Sequence, residues 1–316
     1  MKTSHLLAGM LLSAGIALCA RADTPGPQTA AVAVAARVTD GENQIRLSRV
    51  TPGYWRVTLH NPPFNIFGPG TISQLRTVVA AIEGDPQVKV VVFESDVPGF
   101  FMTHFDFVPP LEETTGLPPG KTGLPQLPDI LVRLSKAPVV SIAMIRGRAT
   151  GVGSELALAC DMRFASRENA LLSQFEIGAG FVPGGGPSAR LPRLIGRGRA
   201  LEVLTTGTYL NADIAERYGY VNRSLPDVEL DAFVDTMARR IAGFSKQTLA
   251  DIKRLVDASS LPPDDQFGVE WQTFLDSVRR PAAQSRIGEL MKQGLQRDAE
   301  LEQHLDQRTG KLPPSN

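Results

Sequence analysis

Apolar positions along the chain repeat with two periods, two in short runs and about 3.6 in longer ones, and the two kinds of run alternate over the first two thirds. Tyr54 to Leu59 alternates and is rich in β-formers, and Asn61-Pro62-Pro63 stops it. Ile72, Leu75, Val79 and Ile82 recur at helical spacing, and Gly84-Asp85-Pro86 ends that helix. Val88 to Phe93 and Pro138 to Ile145 are near-continuous apolar runs of strand length, the pattern of parallel strands buried on both faces. A helix is predicted from Asp129 to Ser135 between them, with a long Pro- and Gly-rich loop from Val108 to Pro128 ahead of it. Alternating strands and helices imply an α/β fold around a parallel sheet with right-handed crossovers.

From Asp231 onward the signals are helical almost throughout: Phe233 to Ile241, Thr248 to Val256, Val269 to Val278 and Ile287 to Leu295. The division predicted is an export signal at 1–22, a linker at 23–45, an α/β core at 46–230 and a helical C-terminal region at 231–316. In that last region Phe233, Met237, Ile241, Leu249, Ile252, Leu255, Trp271, Phe274 and Leu275 form more apolar surface than a peripheral tail leaves exposed, which predicts an oligomer.

The N-terminus reads as a signal peptide. Met1 and Lys2 supply a short positive start, Leu6 to Cys19 is apolar apart from Ser13, and Ala20-Arg21-Ala22 offers small residues at cleavage spacing. A periplasmic or secreted protein is expected, with the cytoplasm as the alternative and no membrane contact after cleavage. Leu18 stands where a lipoprotein signal needs a small residue before Cys19, which argues against a lipid anchor.

Composition removes several classes. With 42% hydrophobic residues, and 33 basic against 33 acidic side chains, the chain is neither disordered nor equipped to attract a polyanion, so nucleic acid is not an expected partner. Signal cleavage leaves Cys160 as the one cysteine, which excludes an intrachain disulfide. His60, His104 and His304 are scattered and no HExxH pair exists, so no metal is expected. Gly116 to Thr122 falls one residue short of a Walker A loop and follows no strand, and Gly184 to Ala189 fits GxGxxA but follows Pro183. Neither is read as a nucleotide site. There is no GxSxG elbow.

The chemically informative stretch runs from Pro138 to Leu191. There a strand leads through Gly147, Gly151 and Gly153 into a short helix carrying Glu155 in its first turn. Amides at a helix start are unpaired and carry the positive end of the dipole, so a carboxylate stands beside a position suited to a developing oxyanion. A tight strand-to-helix turn with a favourable first-turn acid accounts for the same residues structurally.

At this stretch the chain resembles the enoyl-CoA hydratase/isomerase (crotonase) superfamily, over roughly Val57 to Ile252. The motifs in order are Asn61-Pro62-Pro63-Phe64-Asn65, Gly99 to Phe107, Gly147-x-Ala149-x-Gly151-x-Gly153-x-Glu155-Leu156-Ala157 with Cys160-Asp161, Gln174-Phe175-Glu176-Ile177, Val182 to Gly186, and Leu204 to Gly207. The resemblance implies a crotonase-like spiral of ββα units with a helical C-terminal oligomerisation region, assembled as a homotrimer or a dimer of trimers. It implies an acyl-thioester substrate, with CoA as part of that substrate and no other cofactor. By position, the N–H groups of Phe105 and Val152 form the oxyanion hole, Glu155 and Glu176 are the catalytic acids, and His104, Phe107, Gly151 and Gly184 line the substrate site. The implied function is enoyl-CoA hydration or isomerisation; the alternatives are thioester or C–C bond hydrolysis on the same scaffold, or an inactive oligomeric binding protein. Departures cluster at the site: His104 replaces a glycine, Phe105 a small residue, Val152 a glycine and Phe175 a proline. His104 is then either a third acid/base group or a loop imidazole facing solvent.

Overall fold

Residues 43–312 are described in the computed structural model; the segment expected to be a signal peptide, 1–22, and nearly all of the expected 23–45 linker lie outside them. β1 (Ile45–Thr51) and β2 (Tyr54–Leu59) form an antiparallel hairpin, followed by α1 (Pro69–Gly84). β3 (Val90–Ser95) and β4 (Phe100–Met102) lead to α2 (Glu112–Thr115) and α3 (Gln126–Lys136). β5 (Val140–Ile145), β6 (Arg148–Thr150) and α4 (Val152–Ala159) repeat that plan. β7 (Met162–Ser166) and β8 (Leu171–Ser173) repeat it again, through a 3-10 turn at Phe175–Ala179 into α5 (Pro187–Ile195). The core closes with α6 (Arg197–Thr206), β9 (Leu210–Asn211), α7 (Ala212–Tyr218) and β10 (Arg223–Leu225).

The strands sort into two sheets. One has the order β1-β2-β3-β5-β7-β10 and the other β4-β6-β8-β9. After the β1–β2 hairpin, the three units that begin at β3, β5 and β7 each place their first strand in the large sheet and their second in the small one, advancing one position in both. The large sheet is parallel from β2 onward, with Val90 opposite Val140 and Ile142 opposite Met162.

Burial on both faces explains the unbroken apolar runs. Val90, Val92, Ile142, Met144 and Phe164 pack with Leu230, Val234 and Ala238 on one side, while Val91, Phe93, Ala143, Ile145 and Ala165 join the larger core on the other. Leu230, Val234 and Ala238 belong to α8 (Asp227–Ala242), which begins four residues before the predicted start of the helical region. It is followed by α9 (Lys246–Ser260), α10 (Asp264–Val278), α11 (Pro281–Gln293), α12 (Ala299–Gln303) and α13 (Leu305–Gly310).

Two local expectations change. The 108–128 segment is not a plain loop, since α2 forms inside it and α3 begins at Gln126. Asp129 accepts from the backbone N–H and hydroxyl of Thr122, both at 2.8 Å, and so ties the incoming chain to the helix. Most of the C-terminal apolar surface is also used within the chain. Phe233, Met237 and Ile241 pack on the large sheet, and Trp271 and Phe274 are buried. Ile252, Leu255 and Val256 of α9 remain exposed.

Candidate active site

The motif at Asn61 to Asn65 turns out to brace the site from behind. Asn65, buried and with φ of 52°, donates from its side chain to the hydroxyl of Ser95 (2.7 Å) and the carbonyl of Phe101 (2.9 Å), and its own carbonyl accepts from Thr103 N (3.1 Å). The chain after β4 is thereby held in register with the 64–67 segment. Phe67 N donates to the carbonyl of His104, and Asp106 N to the carbonyl of Phe67, both at 2.9 Å. The His104–Phe105 peptide is fixed through its oxygen, so its trans N–H, that of Phe105, projects the opposite way. That N–H has no acceptor among the described residues.

A second free amide comes from the start of α4. Gly151 N donates to Ser173 O (3.1 Å) and Gly153 N to Thr103 O (3.0 Å), while Val152 N has no acceptor among the described residues. Two glycines make this turn possible. Gly151 has φ of +53°, and a Cβ there would stand 2.9 Å from Glu176 Oε1. A Cβ at Gly153 would overlap the carbonyl of Met102. Where the resemblance expects a glycine, Val152 is accommodated because it is the first residue of α4, buried with its side chain in the core.

Glu155 and Glu176 are both buried, at 1% and 5% exposure. Glu155 projects from α4 and its Oε1 accepts from Gly185 N at 2.7 Å; Glu176 stands on the 3-10 turn with Oε1 against Gly151. Oε2 of each has no partner among the described residues. Burial pushes the Glu155 carboxyl up to about 8, against the opposing pull of the Gly185 and Gly184 amides. Glu176 is held well above the usual carboxylate range by burial first and by the charge of Glu155 second. The amides of Gly184 and Gly185 favour the anion of Glu155, an opposing pull that the Gly-rich loop does not supply to Glu176.

Aromatic side chains enclose this region. Phe105 lies parallel to Phe274 of α10 with centroids 5.9 Å apart, and Phe274 contacts Phe181 (5.9 Å) and Trp271 (5.2 Å). Phe107 and Phe175 flank the ring of His104 at 5.4 and 5.3 Å. Gly184 is where α10 meets the Gly-rich loop, since a Cβ there would press into the Phe274 ring at 2.9 Å.

His104 does not face solvent. It is 1% exposed, with Nδ1 2.7 Å from the carbonyl of Phe105 and Nε2 3.1 Å from the carboxylate of Glu302. Both ring nitrogens are thus occupied by the protein itself. Glu302 and Glu270 are the charged neighbours that sequence reading missed. Glu270 is buried on α10, accepts from Ser188 N (3.2 Å), and contributes its charge to the environment of both Glu155 and Glu176. A signal was present in the pattern: Glu270 interrupts the buried stripe Phe267, Trp271, Phe274, Val278. An acid on an apolar helix face needs a buried partner or a task.

Comparison with known proteins agrees with this architecture. The family model for enoyl-CoA hydratase/isomerase matches residues 51–288. The chain belongs to the enoyl-CoA hydratase/isomerase family. It is 34% identical over 207 residues to a probable mitochondrial enoyl-CoA hydratase of Dictyostelium discoideum, covering 64% of this chain and 72% of that protein. It is 36% identical to a crotonyl-CoA hydratase of Syntrophomonas wolfei, covering 59% and 70%. The crystal structure of a putative enoyl-CoA hydratase from Streptomyces avermitilis superposes with a TM-score of 0.81 at 39% identity, covering 86% of this chain and 98% of that one. The crotonase fold, with its helical C-terminal region, is therefore this protein's fold.

Proposed function

We propose that this enzyme hydrates the double bond of a 2-enoyl-CoA thioester. The reading is carried by one arrangement: two buried glutamates, each with an unpartnered oxygen, set beside the free N–H groups of Phe105 and Val152. In this reading the two amides form an oxyanion hole that accepts the thioester oxygen. Charge reaching that oxygen as water adds is then stabilised by donors already in place. Glu155, the member with amide support for its anion, takes a proton from water as the water oxygen bonds to the β-carbon. Glu176, protonated in this reading, delivers its proton to the α-carbon as the enolate collapses. The two proton transfers balance, and product release with solvent exchange restores the pair. Phe105 and Phe274 form the apolar wall for the acyl chain, which gains by leaving water for such a surface.

The test is loss of crotonyl-CoA absorbance with wild type, Glu155→Gln and Glu176→Gln, with thermal melts as the folding control. Either glutamine keeps the shape and removes the proton function, so kcat falls by roughly 10²–10⁴. The double variant is expected to be little worse than either single one, because both carboxylates serve the same step. Wild type that binds the thioester yet turns it over neither by hydration nor by double-bond migration overturns the reading in favour of a binding protein.

A further inference from the structure

We infer that Glu302, at the far end of the chain from the site motifs, is a positioning residue that acts through His104 on the Phe105 amide. The inference rests on the oxyanion role proposed above for that amide. Nδ1 of His104 lies 2.7 Å from the carbonyl of Phe105, and a carbonyl only accepts, so Nδ1 carries hydrogen. Nε2 lies 3.1 and 3.3 Å from the two oxygens of Glu302, one of which already accepts from Gln296 N at 2.7 Å. An ionised carboxylate also only accepts, so Nε2 carries hydrogen too and the ring is an imidazolium. The directions of the two acidities agree with a charged pair: His104 is raised and Glu302 lowered, although burial opposes the charge on each.

The same C-terminal segment is tied to the loop and to β6 at further points. Gln296 accepts from Phe107 N (3.1 Å) and donates to Asp106 Oδ1 (2.9 Å), and Arg148 donates to the carbonyl of Gln303 at 3.1 and 3.0 Å. His104 is faced by Glu302 from α12, Asp106 from its own loop, and the rings of Phe107 and Phe175, with Glu176 next to the latter. The pair thus fixes the Phe105 carbonyl from one side, the Phe67 bridge fixes the His104 carbonyl from the other, and the Phe105 N–H between them is left a single direction. It also keeps a positive charge one residue from the developing enolate oxygen, where a glycine at 104 provides none.

The experiment uses the full-length protein labelled with 15N-histidine, His104 being assigned by the loss of its signals in His104→Gln. In wild type at pH 7.5 the ring is expected to show two protonated nitrogens, and in Glu302→Gln one. Crotonyl-CoA turnover in Glu302→Gln should show kcat reduced about tenfold, with KM changed less than twofold. Glu302→Asp, which keeps the charge, should retain most of the wild-type kcat and covers the case in which the glutamine variant does not fold. A neutral His104 ring in wild type overturns the inference, as does a glutamine variant with a neutral ring and wild-type kcat, or an aspartate variant that keeps the imidazolium and loses kcat. Wild type without turnover overturns the proposed hydration instead, and is recognised as such because the ring charge is read independently of activity.

Discussion

Glu155 and Glu176 show what a buried acid costs the fold that carries it. The Glu155 carboxyl is raised from its ordinary 4.5 to about 8 because burial disfavours the charge. A carboxyl whose folded acidity is weakened binds more protons folded than unfolded. Its contribution to stability is therefore complete below about pH 4.5 and is lost as pH rises toward 8. Glu155→Gln removes the ionisation and keeps the acceptor for Gly185 N. Its melting temperature should exceed that of wild type by several degrees at pH 8, a gain of up to about 4 kcal/mol, and the difference should vanish near pH 4.5. Melts of both proteins across pH 4.5–8 check this. A gain independent of pH would mean that packing, and not charge, is responsible.

At the scale of elements, the site depends on how closely α4 approaches β4. The Gly153 N–H donates to Thr103 O at 3.0 Å, and its missing side chain lets the Met102 carbonyl sit where a Cβ would be. Gly153→Ala forces backbone against backbone, with no flexible side chain to yield. Chemical denaturation should show a loss of about 3 kcal/mol or more, or no soluble protein. Gly288 is the control: it lies inside α11, and a Cβ there meets nothing within 4 Å. Gly288→Ala should stabilise by about 0.5–1 kcal/mol through the smaller entropy of the unfolded chain. The opposite signs separate a glycine kept for close approach from one that the helix merely tolerates.

For the whole molecule, the C-terminal region serves two separate ends. α10 to α13 turn inward: Glu270 and Phe274 meet the 184–188 loop whose Gly185 amide binds Glu155, Glu302 reaches His104, and Arg286 donates to the carbonyls of Gly178 and Thr309, tying α13 to the turn that bears Glu176. α9 instead leaves Ile252, Leu255 and Val256 more than half exposed, beside Leu194 of α5. An apolar strip of this kind on a helix is expected to meet another copy of the chain. Sedimentation at micromolar concentration should show an oligomer, with the trimer as the expected state, and Leu255→Glu should shift it toward monomer with the fold retained. A wild-type monomer would leave the strip without this role.

Along the chain, local periodicity was enough to specify three of the six strands of the large sheet and the helices between them, because β2, β3 and β5 are each long enough to display their pattern, alternating in β2 and near-continuously apolar in β3 and β5. The glycines of 147–153 and the first-turn placement of Glu155 were also legible, since a turn of this kind restricts which residues can occupy it. The small sheet was not, because β4, β6 and β8 have three residues each, too few for a period, and owe their conformation to pairing with one another. Nor could the sequence show which apolar stripes face outward: α8 and α10 have stripes like that of α9, and only packing buries theirs. His104 marks the same division. Its identity was visible, but its burial and charge are decided by Glu302, 198 residues away, which the folding of the last helices brings within hydrogen-bond distance.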